Sequence, residues 1–550
     1  MVKSVAEQWC DMLIGRGFNR LYSMAGEINN PLMEALHRDR RFERRIELRQ
    51  ESAVVAAAAA AARLTGKPQV CYAGSIPGFS SMLSVWAEAE SMKDKLLVLG
   101  VLPVGIQIPD HLTDAERVFH VECIEEAVVI LSTAIHWVES GKAPVSVILR
   151  EEIAGLSTVR ETLTECFVHA PLPLRPQPKA VTELVSLLSR SKKTLFLCGS
   201  GCEGSEDSIF TLARRIQAPI AHTLLAKDVV ESVDDLNIGM VGEMGWGAAS
   251  YAVEDCELLV LWGREFPSSE YFPKHGRVVQ ITDTEGTERM HGVVSLGVIG
   301  NAGLVAQELI RLLPRQNNDD FVVAMRSLHR REQSRLEYHV RNTDETQELR
   351  PEFVTRLLSD RAEPDAVFCV ESGLLQMWGA RYLHPKGQQK IIGSFLLGLR
   401  EMAIPMAMGA KAAYQSRQVI ALCTVGGVLR YMGELLSLQR DFLAVKVLVY
   451  SQKKMDEEVL ESTETEGEEY GLPQHALASV AENLGLKCET VSTVTQLHES
   501  FRNWLSATGP ALLEAEVNPL TRPLPPTAPV CGNNGHLVPS GYGRLRRYGR

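Results

Sequence analysis

RQESAVVAAAAAAARLTGKPQVCYAGSIPGFSSM, residues Arg49 to Met82, carries the reading of the fold. Its alanine-rich part, Glu51 to Leu64, is built from the residue type that costs least in a helix. The passage that follows, PQVCYAG (Pro68 to Gly74), is a short apolar run bounded by breakers and reads as a buried strand. Helix followed by buried strand is the repeating unit of a parallel sheet covered by helices. The same unit recurs outward from this stretch, with KLLVLGV (Lys95 to Val101) and PVSVILR (Pro144 to Arg150) as further strands. The fold class is α/β.

Two more blocks repeat the pattern. After a proline-rich passage, APLPLRPQPKA (Ala170 to Ala180), which reads as an extended linker, the strands TLFLCGSG (Thr194 to Gly201), ELLVLWG (Glu257 to Gly263) and RVVQITD (Arg277 to Asp283) form a second block ending near Leu313. Its Gly199-Ser200-Gly201 turn is either a phosphate-cradling turn, where small residues let backbone N–H groups approach an anion, or a tight strand-to-helix turn with no ligand. Asn317 to Pro351 is strongly charged and reads as a solvated helix plus linker. The third block has the strands AVFCV (Ala366 to Val370), QKIIGS (Gln389 to Ser394), VIALCTV (Val419 to Val425), VKVLVY (Val445 to Tyr450) and ALLEAEV (Ala511 to Val517). The expected division is therefore a first domain over 1–170, a central domain over 180–315, a charged linker over 316–350, a third domain over 351–520 and a flexible basic tail over 521–550, each domain a mostly parallel sheet covered by helices.

Composition excludes several classes. The 550 residues are 45% apolar and 23% charged, enough for large cores, so global disorder is out. A formal net charge of -11 argues against a general affinity for nucleic acid or anionic lipid, because a polyanion would meet a surface of like sign. The start, MVKSVAEQWCDMLIGRGF, has no uninterrupted apolar region of the secretory type, and even the run Val54 to Ala62 falls far short of the roughly 18 apolar residues of a membrane span. The 11 cysteines are scattered, and Cys198 and Cys202 have no partners at zinc spacing; they read as reduced core thiols of a cytoplasmic protein.

With these blocks in place, the chain resembles the thiamine-diphosphate (ThDP) enzymes, in the acetolactate synthase and pyruvate oxidase branch, over nearly its whole length. Arg49 to Met82 looks like the family's glutamate helix followed by its Ser-x-Pro-Gly turn. GLLQMWGARYL (Gly373 to Leu383) looks like the opening of the diphosphate-binding domain, and SFLLGLREMAIPMAMGAKAA (Ser394 to Ala413) like its next segment, with Gly398, Pro405 and Gly409 in register. LLAKDVVE and NIGMVGEMG look like parts of the central domain. The resemblance implies the order pyrimidine-binding, central and diphosphate-binding domain, a homodimer or homotetramer, and active sites between the first domain of one subunit and the third of its neighbour. It implies ThDP with Mg²⁺ as cofactor and, in this branch, FAD in the central domain. The short glycine pattern of Gly199 to Gly204 leaves FAD open.

Carried over residue by residue, the resemblance is uneven. Glu51 stands at the position of the glutamate that hydrogen-bonds the aminopyrimidine ring and promotes ylid formation. The Gly-Asp-Gly motif, whose Asp holds the metal, reads Thr424-Val425-Gly426, followed by Gly427, and its downstream Asn-Asn pair reads Ser451-Gln452. Val425 has no oxygen for a metal, and the neutral amide of Gln452 alone is a poor magnesium ligand set. A Gln-His pair that contacts the diphosphate appears as Leu374-Leu375 ahead of the retained Gln376. Arg400 replaces the large apolar residue that bends the cofactor, and Phe395-Leu396 replaces a Gly-Gly after Ser394. Gly26, Gly398, Gly426 and Gly427 complete the former cofactor positions. An uncompensated buried phosphate costs several kcal/mol, so no ThDP with Mg²⁺ bound in the family manner is expected.

Three functions follow. The first is a cofactor-independent enzyme acting on a small organic (2-oxo) acid, with Arg400 clamping its carboxylate and Glu51 moving a proton. Here Glu51 and Arg400 either work on that acid or form a structural ion pair. Amides at Gly426 and Gly427 could receive an anion, with Lys453 and Lys454 nearby, while the acidic run Asp456 to Gly471 is either repulsive cover or a solvated loop. The second is a conventional ThDP-dependent carboligase or decarboxylase with an atypical metal site. The third is a non-catalytic regulatory or structural partner of an active relative.

Overall fold

The structure, a computed structural model, describes residues 3–26, 30–106, 116–158, 173–231, 236–284, 293–317, 319–341, 348–452, 476–519, 521 and 523–524. The acidic run 456–471, Lys453, Lys454 and nearly all of the 521–550 tail lie outside them. The chain forms two compact units: Met1–Pro171 with Ala366–Leu375 and Ile392–Val517, and Leu172–Asp365 with Gln376–Ile391 and Asn518–Arg550.

In the first unit, one sheet has six strands in the order Arg44–Leu48, Arg20–Met24, Gln69–Ala73, Leu96–Leu102, Val145–Arg150, Val118–Val121. All its neighbours are parallel, so each connection crosses the sheet through a helix. In the other, Val367–Val370, Val419–Thr424, Val445–Gln452, Ala511–Val517 and Lys487–Val491 are successive parallel neighbours. The strands read from sequence in both sheets are present within a residue or two. Arg20–Met24 and Arg44–Leu48 were not read as strands; the partly buried arginines Arg20, Arg44 and Arg45 interrupt the apolar runs there.

The helix Glu51–Thr65 is buried on every side from Ala53 to Ala62, as expected of a helix that is apolar all round. Its alanines let a second helix, Ala403–Ala413, approach backbone to backbone: a Cβ on Gly409 would overlap the carbonyl of Ala57. These two helices lie in one core that takes Ile46, Cys71 and Val98 from the first sheet and Val367, Ala421 and Val447 from the second. Close packing of small residues thus fixes where the start of the glutamate helix falls.

The second unit holds a seven-stranded sheet in the order Trp246–Gly247, Asn237–Met240, Ile220–His222, Thr194–Cys198, Leu258–Trp262, Arg277–Thr282, Val294–Ile299, parallel except for the pairing of its first two strands. The charged passage after it contains the helix Asp320–Arg341. No helix among the described residues is long and apolar enough to cross a membrane.

The glycines at 199 and 263 have a backbone reason. Ser200 and Arg264 exchange hydrogen bonds, N–H to O at 3.0 and 2.8 Å, and a Cβ on Gly199 or Gly263 would overlap the opposite carbonyl. The Gly199 and Ser200 amides are thereby spent inside the protein, on Trp262 O and Arg264 O, so this part of the turn reads as close packing rather than as an anion cradle.

Candidate functional site

In the first unit the start of the glutamate helix meets the segment that follows the strand Val419–Thr424. Gln50 Nε2 donates to Arg430 O at 2.8 Å, the Arg49 amide donates to Glu434 Oε1 at 2.7 Å, and Ser52 Oγ and Tyr431 OH share a hydrogen bond at 3.2 Å. Tyr431 OH also donates to Met402 Sδ at 3.3 Å, and Arg430 pairs with Glu401 at 3.1 Å. All of these contacts are made within one chain.

Glu51 is half-buried in the first turn of its helix. A Cβ placed on Gly78 would lie 3.3 Å from Glu51 Oε1, so the carboxylate rests against the first turn of the helix Ile76–Met92, which Ser75 caps. A negative charge is favoured there by the helix dipole. Arg400 is exposed, in a turn bracketed by two left-handed residues, Gly398 (φ +67°) and Glu401 (φ +68°). Among the described residues it forms no hydrogen bond or ion pair, with Glu51 or any other group.

The turn Thr424-Val425-Gly426-Gly427 opens the six-residue helix Val425–Arg430. Val425 packs against the hydrophobic core, Gly426 and Gly427 are buried, and the Gly427 amide donates to Thr424 Oγ at 3.2 Å. A residue absent from the sequence reading governs this turn. Glu371, just beyond the strand Val367–Val370 and 3% exposed, accepts from both the amide and Oγ of Thr424 through Oε2, each at 2.8 Å. Its other oxygen, Oε1, is buried without a hydrogen-bonding N or O, and it lies over Gly427, where a Cβ would overlap it. Burial pushes the Glu371 carboxyl up to about 7 against the opposing pull of the Thr424 donors.

The remaining expected positions surround this turn or lie apart from it. Ser394 is buried; its Oγ accepts from the Leu399 amide at 2.8 Å, while Ser372 Oγ donates to the carbonyls of Ser394 and Leu399. That ties the residues after Glu371 to the loop leading to Arg400. Leu375 is buried and Leu374 is 47% exposed, on the helix Leu374–Tyr382 that also carries half-buried Gln376. Gly26 sits in a left-handed turn (φ +90°) just after the strand Arg20–Met24. Gln452 ends the strand Val445–Gln452, its side chain outside the description.

As arranged, these donors do not fit a metal-held diphosphate. Magnesium asks for oxygen ligands; at this turn the chain offers hydrocarbon at 425 and a carboxyl at 371 one of whose oxygens is engaged by the Thr424 amide and hydroxyl. The acid at this turn comes not from the segment after the strand Val419–Thr424 but from the end of the neighbouring strand Val367–Val370. The available signal was an acidic residue closing an apolar strand, at the carboxyl end of a parallel sheet, where ligand sites of such sheets lie.

A second constellation also escaped the sequence reading. In the second unit a cleft of about 820 Å³ is lined by Glu231, Trp246, Arg330, Tyr338, Arg356 and His384 among others. Glu231 is held from within by Lys227 at 2.6 Å and His222 at 3.0 Å, with His384 at 3.9 Å.

Comparison with known proteins gives one consistent family. Residues 3–142 match the thiamine pyrophosphate enzyme N-terminal TPP binding domain, 181–309 the central domain, and 371–515 the C-terminal TPP binding domain. The chain is 25% identical over 528 residues to the Bacillus subtilis "Putative thiamine pyrophosphate-containing protein YdaP", covering 94% of this chain and 92% of that one. It is 26% identical over 471 residues to the acetolactate synthase large subunit of Parasynechococcus marenigrum, covering 80% and 74%. In fold it is similar, with a TM-score of 0.76 at 17% identity over 94% of this chain and all of the other, to a "putative thiamin diphosphate-dependent enzyme" of Mycobacterium smegmatis.

Proposed function

Since the chain belongs to the thiamine pyrophosphate enzyme family, we propose that it is an enzyme that keeps the family fold and acts on a small 2-oxo acid without ThDP and Mg²⁺ held in the family manner. Arg400 receives the substrate carboxylate through its bidentate fork, and Glu51 moves the proton. The protein works as a homodimer or homotetramer in the cytoplasm.

The observation that carries the proposal is the state of Arg400. Within the chain Arg400 is exposed and unpaired among the described residues, two positions before Met402, which touches the Tyr431 hydroxyl. An exposed guanidinium suits a carboxylate ligand. The hydrocarbon at Val425 supports the departure from metal-held diphosphate.

The test is turnover of a panel of 2-oxo acids, pyruvate first, by the purified protein and by Glu51→Gln and Arg400→Met, with thiamine species assayed after denaturation. Turnover without bound thiamine that falls at least tenfold in each variant is the expected result. Thiamine diphosphate and magnesium released in stoichiometric amount would make this a conventional family enzyme. Equal activity in all three proteins would remove the catalytic reading.

A further inference from the structure

The helix Asp320–Arg341 has two stripes. One, with Phe321, Val322, Leu336 and Val340, is buried. The other consists of Arg330, Gln333, Ser334, Glu337 and Tyr338, at the i, i+3, i+4, i+7, i+8 spacing of a single helix face. All five line the cleft of about 820 Å³, and every residue lining that cleft belongs to the second unit. Its volume lies in the range that takes a small organic molecule. The charges in the cleft are matched except for one. Glu231 is neutralised by Lys227 at 2.6 Å, and Glu337 is paired with Arg356, which also reaches Asp360 at 3.2 Å. Arg331 and Arg335 are drawn to Glu332 at 3.8 and 3.6 Å. Arg330 is exposed, and among the described residues its guanidinium has no hydrogen-bond or ion-pair partner. Around it stand neutral polar groups. The Ser334 hydroxyl donates to Arg330 O at 2.9 Å and keeps its lone pairs, and Gln333 presents an amide. His384 is fixed through its amide, which donates to Ser359 Oγ at 2.8 Å, and its Nδ1 lies 3.9 Å from Glu231 Oε2. The Lys227 ammonium helps hold Glu231 ionised, which favours the imidazole proton on Nδ1 and leaves Nε2 as an acceptor.

We propose that this cleft is a binding site for a polyhydroxylated organic anion, a sugar acid or a sugar phosphate, whose carboxylate or phosphate is held by Arg330 and whose hydroxyls bond to Gln333, Ser334 and His384. The planar guanidinium fork fits either oxyanion. Glu231 and Glu337 do not repel the ligand, because each already has its own cation. A neutral sugar gains nothing from Arg330, and inorganic phosphate gains nothing from the amide, hydroxyl and imidazole, so tight binding needs both parts in one molecule. The site shares no residue with Glu51 and Arg400, and it stands or falls independently of the function proposed for them.

The experiment is titration calorimetry of the full chain with glucose 6-phosphate and with gluconate, and with glucose and inorganic phosphate as the separated parts. It is repeated on Arg330→Met, Gln333→Leu and Arg400→Met, with a melting curve for each protein. One of the two charged sugars should bind once per chain and about tenfold or more tighter than glucose or phosphate; which one binds tighter tells sugar phosphate from sugar acid. Arg330→Met should weaken that binding about tenfold or more, the usual loss when a charge-assisted hydrogen bond goes, and Gln333→Leu about threefold. Arg400→Met should bind like the unaltered protein. The proposal is overturned if neither charged sugar binds, or if affinity is unchanged in folded Arg330→Met and Gln333→Leu. Loss of binding in Arg400→Met would overturn it as well, because the ligand would then sit at the other site.

Discussion

Two buried glutamates, one in each compact unit, respond to the same burial in opposite ways. Glu231 is enclosed in the second unit, and desolvation alone would raise its proton affinity; the Lys227 ammonium and the His222 and His384 rings outweigh that and hold it well below the usual carboxylate range. Glu371 is enclosed in the first unit with hydroxyl, amide and thiol neighbours but no cation paired to it, and burial wins. A buried acid with a fitted cation is a fixed charge and serves structure. One without a cation titrates near neutrality, and such perturbed groups gather at functional sites.

The comparison can be broken most severely at Lys227. Lys227→Met leaves Glu231 buried without its main counter-charge, and unfolding in denaturant should show a loss of about 3–5 kcal/mol. A loss below about 1 kcal/mol would mean that the histidines suffice.

Next in size is Glu371→Gln. The folded carboxyl binds its proton more tightly than an ordinary glutamate at 4.5, so its favourable contribution is complete below about 4.5 and is lost as pH rises through about 7. The unaltered protein should therefore lose on the order of 3 kcal/mol from this group between pH 4.5 and pH 8, whereas Glu371→Gln should not. Denaturant midpoints across that range check the sign. A steeper loss in the variant would contradict the assignment.

Thr424→Val removes the hydroxyl that donates to Glu371 and accepts from Gly427. It should cost about 1 kcal/mol and move the Glu371 midpoint further up, since a donor to the charged form is lost. Smallest in stability is Arg400→Met: an exposed, unpaired guanidinium contributes little to folding. Its melting temperature should match that of the unaltered protein while turnover falls, and the reverse pattern would make Arg400 structural.

What could be read without coordinates was periodicity and kind. The apolar runs at Pro68 to Gly74, Lys95 to Val101 and Val419 to Val425 are legible because strands buried on both faces need no alternation to be recognised. Arg20–Met24 and Arg44–Leu48 were illegible because they carry arginines at partly buried positions. Gly199-Ser200-Gly201 left a phosphate turn and a tight ligand-free turn both open because sequence cannot show the Arg264 carbonyl that faces Gly199. Glu51, Arg400 and Val425 were expected as site positions through the resemblance to the ThDP enzymes. Glu371 was not, because its meaning depends on Thr424, 53 residues away in the chain.

The linear order of residues by itself determined the α/β class, the three successive sheets and the hydrocarbon at Val425, since each depends on side-chain type and local spacing. The tertiary structure alone decided that Glu371 is the acid that meets Thr424, that Arg400 is exposed, and that the glutamate helix is seated by Gly409 on Ala57. A carboxyl's charge is set by the solvent and counter-charges that folding removes or supplies, and those come from strands and helices far apart in the chain.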